Sequence, residues 1–255
     1  MPRETIDYYS AGLPGVDHDR SLQAREAQAI DLLLPALRAR DDGSLLDVGC
    51  GSGVFLEALD AHGGLTSRGW SLSGVDYSPD ALAAGAHRPY DLDRCNLDEG
   101  IPRHSGTLDV VTMGEVIEHI FDPDALLAEC WRVLKPGGHL LVTTPNVQAW
   151  YNRLFFLAGI QPVFVETSTR STTIGAGALK RLKKSETPVG HVRLFNRTAL
   201  RDILESQGFN VLRVVSAPFA ALPGPMQAIE TRVIRRTTLG SILVVLARKA
   251  AVRHP

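Results

Sequence analysis

Residues 45–59, LLDVGCGSGVFLEAL, constrain this chain more than any other stretch. Leu45, Leu46 and Val48, interrupted by Asp47, read as a short buried strand. Gly49, Gly51 and Gly53 follow at once, and Val54, Phe55, Ala58 and Leu59 then recur at helical spacing. A strand that ends in glycines and resumes as a helix lets the backbone approach a ligand and aims helix N–H groups at it. A tight packing turn needs one glycine. Three in five residues, at a strand-to-helix junction, favour a ligand site.

The nicotinamide fingerprint G-x-G-x-x-G requires a glycine where Val54 stands. Here the third glycine comes one residue early, and Asp47 lies two residues before the first. These residues resemble motif I of the class I S-adenosylmethionine-dependent methyltransferases, in which hydrophobic-hydrophobic-Asp-hydrophobic leads into Gly-Cys-Gly-x-Gly. In that family the loop lies beside the amino-acid part of the cofactor and the acid faces its ammonium group. The resemblance therefore implies Asp47, Gly49, Cys50, Gly51 and Gly53 as contacts of S-adenosylmethionine. It continues at GVDYSPDAL, where Asp76 ends a second strand and can accept both ribose hydroxyls, with Tyr77 on the adenine face. A simple helix-cap role for Asp76, before Ser78 and Pro79, stays open. Family members often carry Asp-Leu where this chain has Asn96 and Leu97; an amide oxygen can accept the same hydrogen bond from the adenine amino group. Gly114 and Glu115, ending a fourth strand, complete the expected cofactor set.

The balance of 27 Lys+Arg against 28 Asp+Glu leaves no basic excess to hold long nucleic acid by its phosphates. Cys50, Cys95 and Cys130 are unevenly spaced and lack a C-x-x-C pair, which suggests reduced thiols and a cytoplasmic address rather than a disulfide framework. The first fifteen residues have no apolar signal core. The most apolar long window, 149–165, is interrupted by Asn152, Arg153, Gln161 and Pro162, so no transmembrane segment is expected.

Along the chain, apolar spacing predicts a helix over 21–40, with Arg25 read as a solvated arginine or a reach to the cofactor carboxylate. Residues 1–40, with Tyr8 and Tyr9, are expected to cover the cofactor or to form a surface loop. Strands are expected near 72–76, 90–93, 107–114, 139–144, 209–216 and 241–247, with helices from 81, 122 and 196. VLKPGGHLLVTTPN again resembles the family. Alternating strands and helices imply βαβ units and a parallel sheet. The resemblance implies one methyltransferase domain over 1–255: a Rossmann-like seven-stranded mixed α/β sheet, last strand antiparallel, helices on both faces. Residues 148–195 break the rhythm and read as a lid or substrate insertion. Its aromatic start, Trp150 to Phe156, suggests an apolar or aromatic small-molecule acceptor, and its basic run 180–184 is either a solvated face or an anion contact.

Methyl transfer needs a positioned nucleophile and, for a hydroxyl, removal of its proton. His191, Glu115 and His119 are the candidate catalytic groups, with His191 first as base. Glu115, Glu118 and His119 have the i, i+3, i+4 spacing of one helical face, and with His191 they form a candidate divalent-metal set. A similar E-x-x-E-H run binds metal in small-RNA 2′-O-methyltransferases and occurs in ubiquinone-pathway O-methyltransferases. The bland alternative is a metal-free signature with His119 bonded locally and Glu118 facing solvent. Three functions follow: a small-molecule O-methyltransferase, a silent cofactor-binding or scaffold protein, and a nicotinamide oxidoreductase. Asp47 and Asp76 disfavour the second, and Val54 disfavours the third. Acceptor, regioselectivity and oligomeric state are not written in the sequence.

Overall fold

A computed structural model describes residues 18–177, 180, 188–219, 224–234 and 238–250. Tyr8, Tyr9 and most of the basic run at 180–184 lie outside the described residues. The chain opens on α1 (His18–Arg38), three residues earlier than the spacing suggested, with Ala29, Ile30, Leu33 and Leu37 buried on one stripe. Then follow β1 (Gly43–Val48), α2 (Val54–Gly63), β2 (Trp70–Asp76), α3 (Pro79–Gly85) and β3 (Asp91–Arg94). Next come β4 (Leu108–Gly114), α4 (Pro123–Val133), β5 (Leu134–Pro145) and α5 (Trp150–Leu157). The chain closes with α6 (Arg197–Ser206), β6 (Phe209–Ala217), α7 (Gly224–Ile229) and β7 (Ile242–Lys249).

The seven strands form one sheet in the order β3-β2-β1-β4-β5-β7-β6. β7 runs antiparallel between β5 and β6, and the other pairings from β3 to β5 are parallel. The expected seven-stranded mixed sheet is therefore the fold. β5 begins directly at Leu134, so residues 135–138 already belong to the strand expected to start near 139.

Alternation along the strands divides the core. Leu46, Val48, Val111, Leu140 and Val142 face one side, packed with Leu126, Leu127 and Leu200 from α4 and α6. Leu45, Val110 and Leu141 face the other, packed with Ile30, Leu33 and Leu37 of α1 and Leu56 and Leu59 of α2. Each buried aliphatic side chain contributes on the order of 1.5–3 kcal/mol. The topology turns outward in both directions between β1 and β4, which leaves a crevice at their carboxyl ends. The insertion enters and leaves the sheet at one point: Asn146 bridges Phe195 in parallel, and Val147 N–H donates to the Phe195 carbonyl at 3.0 Å. Among the described residues, no helix is long and apolar enough to cross a membrane.

Candidate active site

The glycine loop hangs at the crevice. Gly49 has φ +74, and a Cβ there would run into the Val116 side chain, so no other residue fits. Gly49 and Cys50 N–H groups both donate to the Val75 carbonyl, at 2.8 and 3.1 Å, which pins the loop to β2. Gly51 differs: at φ +54 it faces open space, with nothing within 4 Å of a built Cβ. Its N–H donates to Asp76 Oδ2 at 2.7 Å, and Ser78 N–H donates to Asp76 Oδ1 at 2.8 Å. Asp76 thus ties the loop to the start of α3. Gly53 caps α2 from the left-handed region without a side-chain bond. Cys50 is buried, with its sulfur so close to Gly74 that a Cβ there would stand 2.5 Å away. Burial pushes its thiol above the ordinary range.

Asp47 ends β1 at 4% exposure and accepts from Thr112 Oγ1 at 2.7 Å. Desolvation pushes its carboxyl up to about 7; the Thr112 bond opposes this, the Asp76 charge adds to it, Arg25 opposes it and Glu26 adds to it. Glu26, on α1, is itself buried, and its Oε1 has no hydrogen-bond partner among the described residues. Arg25 is half-buried, with Nη1 3.6 Å from Glu115 Oε2, so it faces the crevice and is not the solvated arginine of one sequence reading. Asp47, Glu26 and Glu115 share one arginine, with Asp76 beside Asp47; this acidic lining fits a cationic ligand carrying an ammonium and a sulfonium, and the open side of Gly51 gives it room.

The adenine end is less committed. Tyr77 has the Arg94 guanidinium 5.3 Å above its ring. Asn96 caps its own turn: Oδ1 accepts from Asp98 N–H at 3.2 Å, and Nδ2 donates to Glu99 Oε1 at 2.9 Å. Leu97 packs against the core, and Gly114 is exposed at the end of β4.

The E-x-x-E-H run does not form one helical face. Glu115 sits at φ +56, which turns the chain out of β4, and only Ile117–His119 coil, as a single tight turn. Glu115 Oε1 accepts from Thr143 Oγ1 at 2.8 Å, whereas Glu118 Oε2 accepts from Thr144 Oγ1 at 2.9 Å. Successive strand residues point to opposite faces. Glu115 therefore joins Arg25 on the α1 side, and Glu118 goes to the other. Among the described residues, Glu118, His119 and His191 bring ligand atoms within 4.8 Å of one another; Glu115 is not part of that group.

Glu118 is 1% exposed, contrary to the solvent-facing reading. Burial first, then the Glu115 charge, raises its carboxyl well above the carboxylate range, and Oε1 has no hydrogen-bond partner among the described residues. His119 Nδ1 lies 3.1 Å from the Gly190 carbonyl, seventy-one positions away, so its bond is not local. His191 Nδ1 lies 3.1 Å from the Phe164 carbonyl. A carbonyl can only accept, so both rings carry Nδ1–H and present Nε2 as the lone-pair nitrogen. The rings lie 5.0 Å apart. Burial, then His191, lowers His119 to about 4, and burial also lowers His191, so both are neutral near pH 7. The aromatic rings beside His191 are those of Phe164, at 6.1 Å, and Phe219 beyond it. Of the expected aromatic run, Tyr151 is buried with its hydroxyl on Ser241, and Phe156 points to solvent.

A crevice at the switch point of this sheet, with a glycine loop between two strand-end acids, defines an S-adenosylmethionine-dependent methyltransferase. The chain belongs to the methyltransferase-domain family, whose profile matches residues 18–214. It is 32% identical over 189 residues to the human mitochondrial ubiquinone biosynthesis O-methyltransferase, covering 71% of this chain and 45% of that protein. It is 35% identical over 111 residues to the ubiquinone biosynthesis O-methyltransferase of Thiobacillus denitrificans, covering 41% of this chain and 45% of that protein. The chain thus spans less than half the length of these curated relatives. A Thermotoga maritima S-adenosylmethionine-dependent methyltransferase shares the fold at TM-score 0.57 and 19% identity, over 90% of each chain. One from Aquifex aeolicus does so at 0.55 and 16%, over 97% of this chain and 98% of that one.

Proposed function

We propose that this enzyme methylates a hydroxyl oxygen of a small, apolar or aromatic molecule by in-line displacement. The observation that carries the reading is the pair of part-buried, neutral histidines, each with Nδ1–H held by a carbonyl and its lone pair on Nε2. A hydroxyl, unlike a neutral amine, is a poor nucleophile until its proton leaves, and a neutral imidazole can take that proton. S-adenosylmethionine, when bound, supplies a methyl group on a positively charged sulfur. Asp47 holds the ammonium end, Asp76 the ribose, and the glycine loop and Gly114 border the donor; Tyr77, Asn96 and Leu97 flank the adenine. Glu115 and Arg25 wall the donor side, and His191 receives the acceptor's proton with His119 beside it. Residues 148–177 and 188–195 cover the acceptor, and Phe164 and Phe219 offer it an aromatic surface. The names of the curated relatives support oxygen as the acceptor atom.

A second reading is favoured by Glu118, whose Oε1 has no hydrogen-bond partner among the described residues and whose carboxylate lies beside the two imidazoles. These donors fit a divalent cation, which Glu118, His119 and His191 would hold and which would acidify the acceptor hydroxyl. In either case His191→Ala should lower kcat by about a hundredfold or more while leaving S-adenosylhomocysteine affinity nearly unchanged. An unchanged kcat with the best acceptor of a phenol and catechol panel would place the base elsewhere.

A further inference from the structure

We propose that Glu166 is a positioning residue that fixes the orientation and tautomer of His119 and His191 together. The inference rests on reading that pair as the proton-handling centre. Glu166 is part-buried in the insertion, and its carboxylate accepts three consecutive backbone N–H groups: Val189 at 2.7 Å on Oε1, and Gly190 at 2.7 Å and His191 at 3.0 Å on Oε2. Hydrogen bonds to a carboxylate are about twice as strong as neutral ones, and three on one group fix a loop that has no secondary structure of its own.

The clamped backbone matters because of what it carries. Gly190 lends its carbonyl to His119 Nδ1 at 3.1 Å. His191 directs its own Nδ1 to the Phe164 carbonyl, two residues before Glu166, at 3.1 Å. Phe164 holds φ +74, unusual for a residue with a bulky side chain, and this turns its backbone at the point where it meets His191. The Glu118 carbonyl accepts from Val192 and Arg193 N–H, both at 2.9 Å, so the far side of the same loop is tied to the third member of the trio. Segments 164–166 and 189–193 therefore close around the histidines as one unit. The Glu166 charge is also felt at His119, where it favours the protonated form against burial and His191. Only Nδ1–H tautomers carry the lone pair on Nε2 in both rings, so loss of the clamp should cost the pair its shared orientation.

Long-range proton–nitrogen correlation spectra of histidine-labelled protein, saturated with S-adenosylhomocysteine near neutral pH, read the tautomers directly. In the wild type both rings should be Nδ1–H. In Glu166→Gln, whose amide sets a donor against backbone donors, at least one ring should become a tautomer mixture, and kcat should fall by about tenfold or more. Affinity for S-adenosylhomocysteine, whose expected contacts do not include Glu166, should stay within about twofold and reports that the variant is folded. Glu166→Asp keeps the charge but shortens the reach, and should resemble Glu166→Gln. Unchanged tautomers in Glu166→Gln, or full recovery in Glu166→Asp, would overturn the clamp. The spectra need no turnover. An absence of O-methylation in the wild type would remove the functional reading and leave the tautomer test standing.

Discussion

Replacing Asp47 by asparagine separates the stability of the fold from its function. The Asp47 carboxyl titrates near 7 in the folded chain against 3.8 unperturbed. Below about pH 4 it is protonated in both states and contributes no difference. As pH rises toward 7 the unfolded chain releases the proton and the folded chain retains it, so the wild type loses stability across that window. At about 1.4 kcal/mol per pH unit, the loss reaches on the order of 4 kcal/mol and is then constant. The substituted amide would keep an oxygen for the Thr112 hydroxyl, 2.7 Å from the present carboxylate, but it adds a buried N–H donor that costs about 1–3 kcal/mol. Asp47→Asn should therefore be roughly neutral or destabilising near pH 4 and more stable than wild type by about 1–3 kcal/mol at about pH 8. For a chain of this size that is roughly 2–10 °C in Tm. Thermal melts of the two proteins from about pH 4 to pH 8 measure it. The same variant should bind S-adenosylhomocysteine more weakly, and calorimetry of the wild type at about pH 6 in two buffers should show close to one proton released on binding. Melting curves that stay parallel at every pH, or binding without proton release, would refute a buried acid held for the cofactor's ammonium group.

Asp76→Ala removes the ribose acceptor and the partner of Gly51 and Ser78 N–H, and should weaken S-adenosylhomocysteine by on the order of 2 kcal/mol in calorimetry. Equal affinity would take Asp76 out of the site. Chelation separates the two readings of the histidine centre: turnover that survives an excess of chelator leaves the proton with His191, and turnover lost and then restored by magnesium assigns it to a cation on Glu118, His119 and His191.

The frame of the candidate cofactor site, its glycine loop and flanking acids, was legible because its signals are local. Strand alternation around Asp47, three glycines in one turn and an acid ending β2 each act within a few residues, and the sheet order follows from repeated βαβ units. The acceptor half was not. Helical spacing grouped Glu115 with Glu118 and His119, but that spacing presumes a regular helix, and Glu115 at φ +56 breaks it. The clue lay in the neighbouring strand, where Thr143 and Thr144 alternate faces and hold one glutamate each. His119 bonds to a carbonyl seventy-one positions away and His191 to one twenty-seven away, so neither orientation can be read from spacing. Glu166 lay unremarked in the segment read as a lid or substrate insertion, and its partners are backbone N–H groups, which any sequence supplies. Arg25 was read as solvated or as a reach to the cofactor carboxylate, and Glu26 was not singled out; the packing of α1 over β5, β6 and β7 brings Arg25 to 3.6 Å from Glu115.

The most direct measurement of the central claim follows the methyl carbon. The enzyme is given S-adenosylmethionine labelled at that carbon, together with a mixed panel of phenols, catechols, sugars and amines, and the products are read by carbon spectroscopy. The expected result is a methoxy signal on a phenol, catechol or sugar hydroxyl that is lost in His191→Ala. A label delivered to nitrogen or carbon, or a methoxy product that forms equally well without His191, would contradict it.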